Sequence, residues 1–554
     1  MLLKIFFNKH KPFSLSLISG FIVVLSWPPF GFPFLVFVAF VPLLFAERIM
    51  LGKRQDGKSS DFFKLAYLTF FVFNLFTTWW ISLSTIPGMV VAVGLNSLFM
   101  AVPWWLVHVW RRSSSKQGWL PLIFLWLSFE HLHSLWELSW SWLDLGNVFA
   151  TMPSIVQWYE YTGVAGGTLW VLVVNLFAFS VIKELTSLKN NTSAGSLEPV
   201  RVSSKRAYLL LALFMGCLFV PMGASLVTYY SYKENERPLE VVIVQPSENP
   251  YHQPSDLEKI AIVDKMIYLA LDQITPTTAF VLSPEAALPE PLWLHNTHLN
   301  QSLEVIKTLL SEYENLHWVT GASIFQVHSP NEKLPYTARQ IPNSNLHYTI
   351  FNSAIIVNSE GLLDYYHKSK LVPGIESVPY ASLFKPLGWV FSKFGGTAKG
   401  MGKQNKRSVF KTPDGTVIAP VICFESIFGD HMAEYARLGA NVIFIVTNDG
   451  WWGNTPGYRQ HNHYARLRAI ELRKPIARAA STGISSFIDQ RGNFIQQTKW
   501  NQEIAIRQEL NLNERLTHFA ARGNVLGKSS LFFSALVLVA IFVQAVLNKK
   551  QKKG

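Results

Sequence analysis

Two cysteines are all that the 554 residues contain, and Cys217 sits in the apolar run from Leu210 to Val220 while Cys423 lies two hundred residues further on. That scarcity excludes a disulfide scaffold and leaves no zinc-ligand spacing. Charge is also sparse, at 15% of residues, against 49% hydrophobic and 14% aromatic. An ordinary soluble protein is not so apolar, and a membrane class follows. No glycine loop of the dinucleotide or phosphate-cradling kind is present, nor any internal repeat or low-complexity tract.

What is there is long apolar runs. Stretches able to cross about 30 Å of hydrocarbon, roughly 20 residues each, lie near 62–81, 86–108, 118–136, 163–182, 207–230 and 529–547. Residues 13–46 are apolar but broken by Pro28, Pro29, Gly31 and Pro33, which predicts two short helices joined by a tight turn and eight spans in all. A cleaved signal peptide is the competing reading of the first run. The absence of a small-residue cleavage site and the immediate second apolar run argue against it.

Basic residues predict the orientation, because loops kept in the cytoplasm are enriched in Lys and Arg. Lys4, Lys9 and Lys11 precede the first span; Arg48, Lys53, Arg54, Lys58 and Lys64 follow the second; Arg111, Arg112 and Lys116 follow the fourth. Lys183, Lys189, Arg201, Lys205 and Arg206 separate the sixth from the seventh, and Lys549, Lys550, Lys552 and Lys553 end the sequence given. The intervening loops 28–33, 82–85 and 137–162 hold no Lys or Arg. Both termini are therefore expected in the cytoplasm, and the stretch from about 234 to 525 outside it. The cytoplasmic segments carry 20 basic and five acidic residues, so the rest carries 29 and 31, and the net charge of +13 is a topology signal rather than a nucleic-acid footprint.

From Pro238 the composition becomes that of an α/β domain, with β-rich runs at 239–245, 278–283, 317–324, 351–358, 416–423 and 441–447. Residues 257–272 and 461–472 show helical spacing, and Asn358-Ser-Glu-Gly361 reads as a hairpin turn. The expected division is a membrane domain at 1–233, a catalytic domain at 234–525, and a last span with a basic tail at 526–554.

Three residues stand at predicted strand ends, where distant segments of an α/β sandwich converge: Glu285, Lys368 and Cys423. Taken singly, each has a bland reading, as a solvated carboxylate, a hairpin lysine and a small core residue. Together they can act chemically. A carboxylate takes the thiol proton, the thiolate attacks a carbonyl, and an ammonium steadies the oxyanion and lowers the thiol pKa.

The segments Ser283-Pro-Glu-Ala-Ala-Leu-Pro289, Tyr366-His-Lys-Ser-Lys-Leu-Val-Pro373, Ile422-Cys-Phe-Glu425, Thr447-Asn-Asp-Gly-Trp-Trp-Gly453, Gln460-His461 and Ala465-Arg-Leu-Arg-Ala-Ile-Glu471 resemble those of the bacterial apolipoprotein N-acyltransferases, membrane members of the carbon-nitrogen hydrolase (nitrilase) superfamily. Trp27-Pro-Pro-Phe-Gly31, Glu130, Trp142-Leu-Asp-Leu-Gly146 and Gly163-Val-Ala-Gly166 extend the resemblance through the apolar half. It implies an eight-span bundle carrying an αββα nitrilase-like sandwich on the outer face of the bacterial inner membrane, with no cofactor. It also implies a ping-pong reaction. Glu285 would deprotonate Cys423, which takes the sn-1 acyl chain of a phospholipid such as phosphatidylethanolamine as a thioester, and the amine of a diacylglyceryl-cysteine apolipoprotein then accepts the chain. Lys368 would hold the oxyanion, Glu376 and Glu425 match further acidic positions of the family, and Phe424 adjoins the nucleophile.

The run Lys370-Leu-Val-Pro-Gly-Ile-Glu376 departs from the family's usual Leu-Val-Pro-Phe-Gly-Glu, and Tyr251 stands in for a tryptophan found in some members. Trp451 and Trp452, with Trp140 and Trp142, read either as a lipid-facing entrance or as ordinary core aromatics. Glu130 within a span needs a buried partner, for which His131 and His133 are candidates. His461 and His463 point to different helix faces, with no acidic or thiol partner spaced to complete a metal site, so no metal is expected. Two other functions compete. A membrane-tethered amidohydrolase of small C–N substrates would need one span rather than eight, and a transporter with a degenerate nitrilase domain has no use for an intact Glu, Lys and Cys.

Overall fold

A computed structural model describes residues 2–52, 59–113, 118–193, 204–380 and 399–551. The predicted cytoplasmic residues Lys53, Arg54, Lys58, Lys116, Arg201, Lys552 and Lys553 lie outside the described residues. Eight apolar helices account for the hydrophobic runs: α1 (Leu2–Ser26), α2 (Val41–Gly52), α3 (Ser59–Thr78), α4 (Ile86–Ser113), α5 (Leu120–Leu135), α6 (Val164–Ser193), α7 (Ser204–Ser231) and α12 (Val525–Gln551). Among the described residues, six segments are long and apolar enough to cross a membrane, namely Pro33–Gly52, Ser59–Leu83, Ile86–Ser113, Val164–Thr186, Lys205–Ser231 and Val525–Leu547. The apolar part of α1, Lys11–Ser26, and the 16-residue α5 are shorter. The proline-rich break between α1 and α2 is a tight turn in which a Cβ at Gly31 would stand 2.4 Å from the Ser26 carbonyl carbon.

The α/β part begins with β1 (Pro238–Gln245) and continues through α8 (Asp256–Leu271), β2 (Thr278–Leu282), α9 (Gln301–Leu310), β3 (His317–Val327), β4 (His347–Asn358) and β5 (Gly361–His367). It then runs through β6 (Val417–Ile422), α10 (Gly429–Arg437), β7 (Val442–Thr447), α11 (Pro456–Leu472), β8 (Ile476–Ala480), β9 (Ser486–Ile488), β10 (Phe494–Gln497) and β11 (Ile504–Asn511). One sheet runs β11-β1-β2-β3-β4 with β5 also on β4, and the other runs β10-β9-β8-β7-β6. The two pack face to face through Phe280, Leu282, Val319, Ile356, Val421, Ile443 and Ile445. Helices α8 and α9 cover the outer face of the first sheet, and α10 and α11 cover the second. Apolar residues on both faces of β2, β6 and β7 explain why these strands read as continuous hydrophobic runs rather than as alternations.

The apolar bundle and the sandwich share a core. Phe424, Ile427, Tyr464 and Leu467 belong to the same buried cluster as Trp27, Trp80, Trp104 and Trp142. Polar ties reinforce it: Trp27 Nε1 donates to the Tyr464 hydroxyl at 3.0 Å, Trp142 Nε1 to Gln460 Oε1 at 2.7 Å, and Gln460 Nε2 to the Pro28 carbonyl at 3.0 Å. Helix α11 is therefore packed on both sides, which fixes the second sheet and its strand ends against the bundle.

Candidate active site

Glu285, Lys368 and Cys423 converge at neighbouring strand ends. Glu285 leaves β2 in a turn that presses on β3, and a Cβ at Gly321 would lie 2.5 Å from Glu285 Cα and 2.4 Å from Ala286 N. Only glycine lets the two backbones approach so closely. Gly321 N also donates to the Pro284 carbonyl at 2.9 Å, which pins the turn. Lys368 follows β5, with its backbone N–H on the Asn352 carbonyl at 2.8 Å. Cys423 follows β6 and opens a short 3-10 turn, Cys423–Ile427, with φ +49°. A left-handed cysteine is a strained position of the kind found at functional turns.

Lys368 is 1% exposed and its ammonium lies 2.8 Å from Glu376 Oε1 and 3.2 Å from Glu285 Oε1. Burial alone would lower its pKa, but the Glu285 and Glu376 carboxylates hold it well above the usual lysine range. Asn352 Nδ2 donates to the same pair, at 2.7 Å to Glu285 and 3.0 Å to Glu376. Asn448 N donates to Glu285 Oε2 at 3.0 Å and Val372 N to Glu376 Oε2 at 2.8 Å. Glu376 reaches Lys368 despite the altered Lys370–Glu376 loop.

Cys423 is 8% exposed. Burial and then the Glu285 carboxylate push its thiol well above the usual range, with Lys368 as the opposing influence. The resting sulfur is therefore a protonated thiol. Glu425, wholly buried, knits the turn. Its Oε2 accepts Ile422 N at 3.0 Å, and its Oε1 accepts Ser369 N and the Tyr366 hydroxyl, both at 2.7 Å, and Lys370 N at 3.1 Å. Burial opposes ionisation here, yet His431 and these donors hold the Glu425 pKa down at about 2. Phe424 is buried beside Trp140 and Phe428.

The aromatic cluster divides. Trp142 is buried against Trp80 and Trp452, whereas Trp451 is 41% exposed and stands edge-on to Tyr251. The Tyr251 hydroxyl donates to the carbonyls of Leu83 and Trp451, at 3.0 Å and 2.9 Å.

Two expectations need correction. Glu130 is not partnered by His131 or His133. It accepts Trp126 Nε1 at 2.8 Å, Leu145 N at 2.9 Å and Thr168 Oγ1 at 2.7 Å. His131, one position on, points roughly 100° around the helix and faces Asp430 at 3.9 Å. His133 meets Asn96 Oδ1 at 3.1 Å. His461, in turn, does have a thiol and an acid beside it: ligand atoms of Cys423, Asp449 and His461 lie within 4.8 Å of one another. Chain spacing missed them because they arrive from two other segments.

The Asp449 oxygens are nonetheless engaged, Oδ1 by His461 Nδ1 at 2.9 Å and Thr447 Oγ1 at 2.9 Å, and Oδ2 by Arg478 Nη2 at 2.6 Å. Buried Arg478 opposes a second cation. His461 Nε2 lies 3.2 Å from the Cys423 carbonyl and 3.0 Å from Ser426 Oγ. This donor set fits a hydrogen-bonded brace beneath Cys423 better than a metal site. Arg478, Asn352 and Asn448 were missed in the sequence; only Asn448 and Asp449 fall in a quoted motif.

Two family models match the chain: "Apolipoprotein N-acyltransferase N-terminal domain" over residues 19–177 and "Carbon-nitrogen hydrolase" over 248–514. Among curated proteins, the apolipoprotein N-acyltransferase of Chlorobaculum tepidum is 27% identical over 92% of this chain and 93% of its own length. That of Geobacter metallireducens is 25% identical over 96% of both, and that of Haemophilus influenzae 25% over 98% and 97%. With the apolar helices in one half, the nitrilase sandwich in the other and both halves matched in order, the chain belongs to the apolipoprotein N-acyltransferase family of bacterial membrane enzymes.

Proposed function

We propose that Cys423 carries the acyl chain as a thioester between two substrates. As the thiol sulfur attacks the sn-1 ester carbonyl of a phospholipid such as phosphatidylethanolamine, Glu285 takes its proton and then returns it to the departing lysophospholipid oxygen. The α-amine of a diacylglyceryl-cysteine lipoprotein next attacks the thioester, Glu285 accepts the amine proton, and the thiol is restored. Lys368 remains an ammonium throughout and stabilises the oxyanion of both tetrahedral stages. Glu376 positions Lys368, Glu425 fixes the Cys423 turn, and Phe424 and Trp451 line the approach.

The observation that carries this reading is the buried Lys368 ammonium held between Glu285 and Glu376 beside a thiol that its surroundings keep protonated. A membrane-lipid donor is supported by the fused core, which sets the Cys423 turn directly on the apolar bundle. Residues 1–233 form the membrane domain, 234–525 the catalytic domain outside the cytoplasm, and 526–554 the last span and tail, with both termini cytoplasmic. Intact-mass analysis after incubation with phosphatidylethanolamine tests it. A hydroxylamine-sensitive acyl adduct on the wild type, missing in Cys423→Ala, is expected; no adduct on folded wild type defeats the proposal.

A further inference from the structure

A cavity of about 500 Å³ lies behind the Cys423 turn, and none of Glu285, Lys368 and Cys423 lines it. Ile427 and Phe428 form one wall; opposite them stand Leu135 at the end of α5, Val164 at the start of α6 and Lys528 in the first turn of α12. Three apolar helices thus end at one level against the sandwich. With 27 residues, at 1.5 Å each, α12 is about 40 Å long, more than the roughly 30 Å of bilayer hydrocarbon, which leaves room for its first turn in the headgroup layer.

Six Lys and Arg side chains and five carboxyl groups line the cavity, and the basic ones are the less well paired. Glu434 is paired with Arg407 at 3.2 Å and Glu471 with Arg468 at 2.9 Å. Asp430 accepts Asn524 N at 2.7 Å, and Glu130 is satisfied by its three donors. Burial and then the neighbouring Glu130 raise the Asp144 pKa well above the usual carboxyl range. On the other side Lys370, Arg437, Arg522 and Lys528 have no carboxylate within 4 Å among the described residues. Lys370, Arg437 and Lys528 donate only to backbone carbonyls. His131 Nδ1, 3.9 Å from Asp430 Oδ2, is buried on the same wall with no hydrogen-bond partner among the described residues, a rare condition that an acceptor in the cavity would relieve.

We propose that this cavity binds the phosphate headgroup of a membrane phospholipid distinct from the acyl donor, with Arg437, Arg522 and Lys528 on the phosphate oxygens. A phosphate diester presents the oxygens that such a set of N–H donors requires. The membrane source is favoured by the mouth. Leu135 lines the cavity yet is 60% exposed, and Phe532, one helical turn beyond Lys528, is 64% exposed. Acyl chains can run along both, whereas free phosphate has no use for either.

Native mass spectrometry of the full chain with phosphatidylglycerol tests the site on wild type, Cys423→Ala and the double variant Arg522→Gln with Lys528→Gln. Expected is one retained lipid on the first two and roughly ten-fold weaker retention on the double variant, which keeps its Tm and still acquires the Cys423 adduct from phosphatidylethanolamine. Equal retention on the double variant overturns the proposal, as does displacement by inorganic phosphate at the lipid's own concentration, which would mark a free-anion site. Should the double variant not fold, Lys528→Gln alone carries the comparison. The proposal rests on the membrane setting but not on thioester chemistry: a retained lipid without any acyl adduct would sink the acyl-transfer reading alone.

Discussion

Glu425 accepts the backbone N–H of Ser369 at 2.7 Å and, through its other oxygen, that of Ile422 at 3.0 Å, so one buried carboxylate joins the loop that carries Lys368 to the turn that carries Cys423. The consequence is an acid-sensitive tie. Its folded pKa of about 2 is below the ordinary 4.5, so it contributes fully above about pH 4.5, and that contribution falls away as pH drops towards 2. The difference corresponds to about 3 kcal/mol. Glu425→Gln is expected to flatten this part of the stability-against-pH curve and to lower Tm at pH 7, as followed by thermal unfolding. An unchanged acid limb would remove Glu425 from this role.

Glu376 and Glu285 together keep Lys368 charged. Glu376→Gln removes one of these carboxylates, so the Lys368 pKa falls and the alkaline limit of acyl-enzyme formation moves to lower pH. In the proposed reaction the rate at neutral pH should drop about ten- to a hundred-fold, less than the roughly 10²–10³-fold typical of losing an oxyanion donor outright. Single-turnover acylation across pH measures both. A rate loss with no movement of the alkaline limit would mean that Glu376 acts only on the fold.

The long helices, six of the strands in chain order and the placing of Glu285, Lys368 and Cys423 at strand ends were legible because each rests on a local pattern: apolar length, continuous buried-strand runs, and polar residues at strand ends. What was not legible depends on contacts between distant segments. β11 pairs antiparallel with β1 along Pro238–Gln245, yet its sequence Ile-Ala-Ile-Arg-Gln-Glu-Leu-Asn is too charged to stand out. Arg478 lies in a short run of alanines, and only the pairing of β8 with β7 brings it beneath Asp449. Glu130 misled for the opposite reason. Neighbours in sequence suggested themselves as partners, while its actual donors lie one helical turn back and in two other segments.

At Gly321 the predicted effect is steric. A methyl group there meets Glu285 Cα at 2.5 Å and the Pro284 carbonyl oxygen at 2.7 Å, both backbone atoms that cannot swing aside. Gly321→Ala should therefore cost about 1–3 kcal/mol as overpacking and displace Glu285 from Lys368. Acyl-enzyme formation should fall further than stability does. A variant with lowered Tm and a normal acylation rate would show that the Glu285 turn tolerates the shift.

Asp449 is depressed far below the usual carboxylate range because Arg478 and His461 outweigh its burial. Removing the guanidinium in Arg478→Leu leaves that charge uncompensated in the core, a change worth about 3–5 kcal/mol, and thermal unfolding should show it. Incubation with a strong chelator, by contrast, should leave the rate of acyl-adduct formation unchanged, because both Asp449 oxygens already have protein donors. A chelator-sensitive rate restored by a divalent ion would overturn the hydrogen-bonded brace in favour of a metal site.

Trp451 and Tyr251 make the last case, since they belong to the site's surface rather than its chemistry. The Trp451 ring is half-exposed against Tyr251, whose hydroxyl bridges the carbonyls of Leu83 and Trp451. Tyr251 thereby ties the loop after α3 to the strand-end loop that follows β7. Trp451→Ala removes an exposed apolar surface and leaves the buried Lys368 cluster untouched, so the concentration of phospholipid needed for half-maximal acylation should rise several-fold while the maximal rate stays within about two-fold. Tyr251→Phe keeps the ring and deletes the one hydroxyl proton shared between the two carbonyls, worth about 1 kcal/mol in all, which loosens the loop without removing the surface. It should shift the half-maximal concentration less than Trp451→Ala does. The reverse order would mean that the bridge, not the indole face, governs access to Cys423.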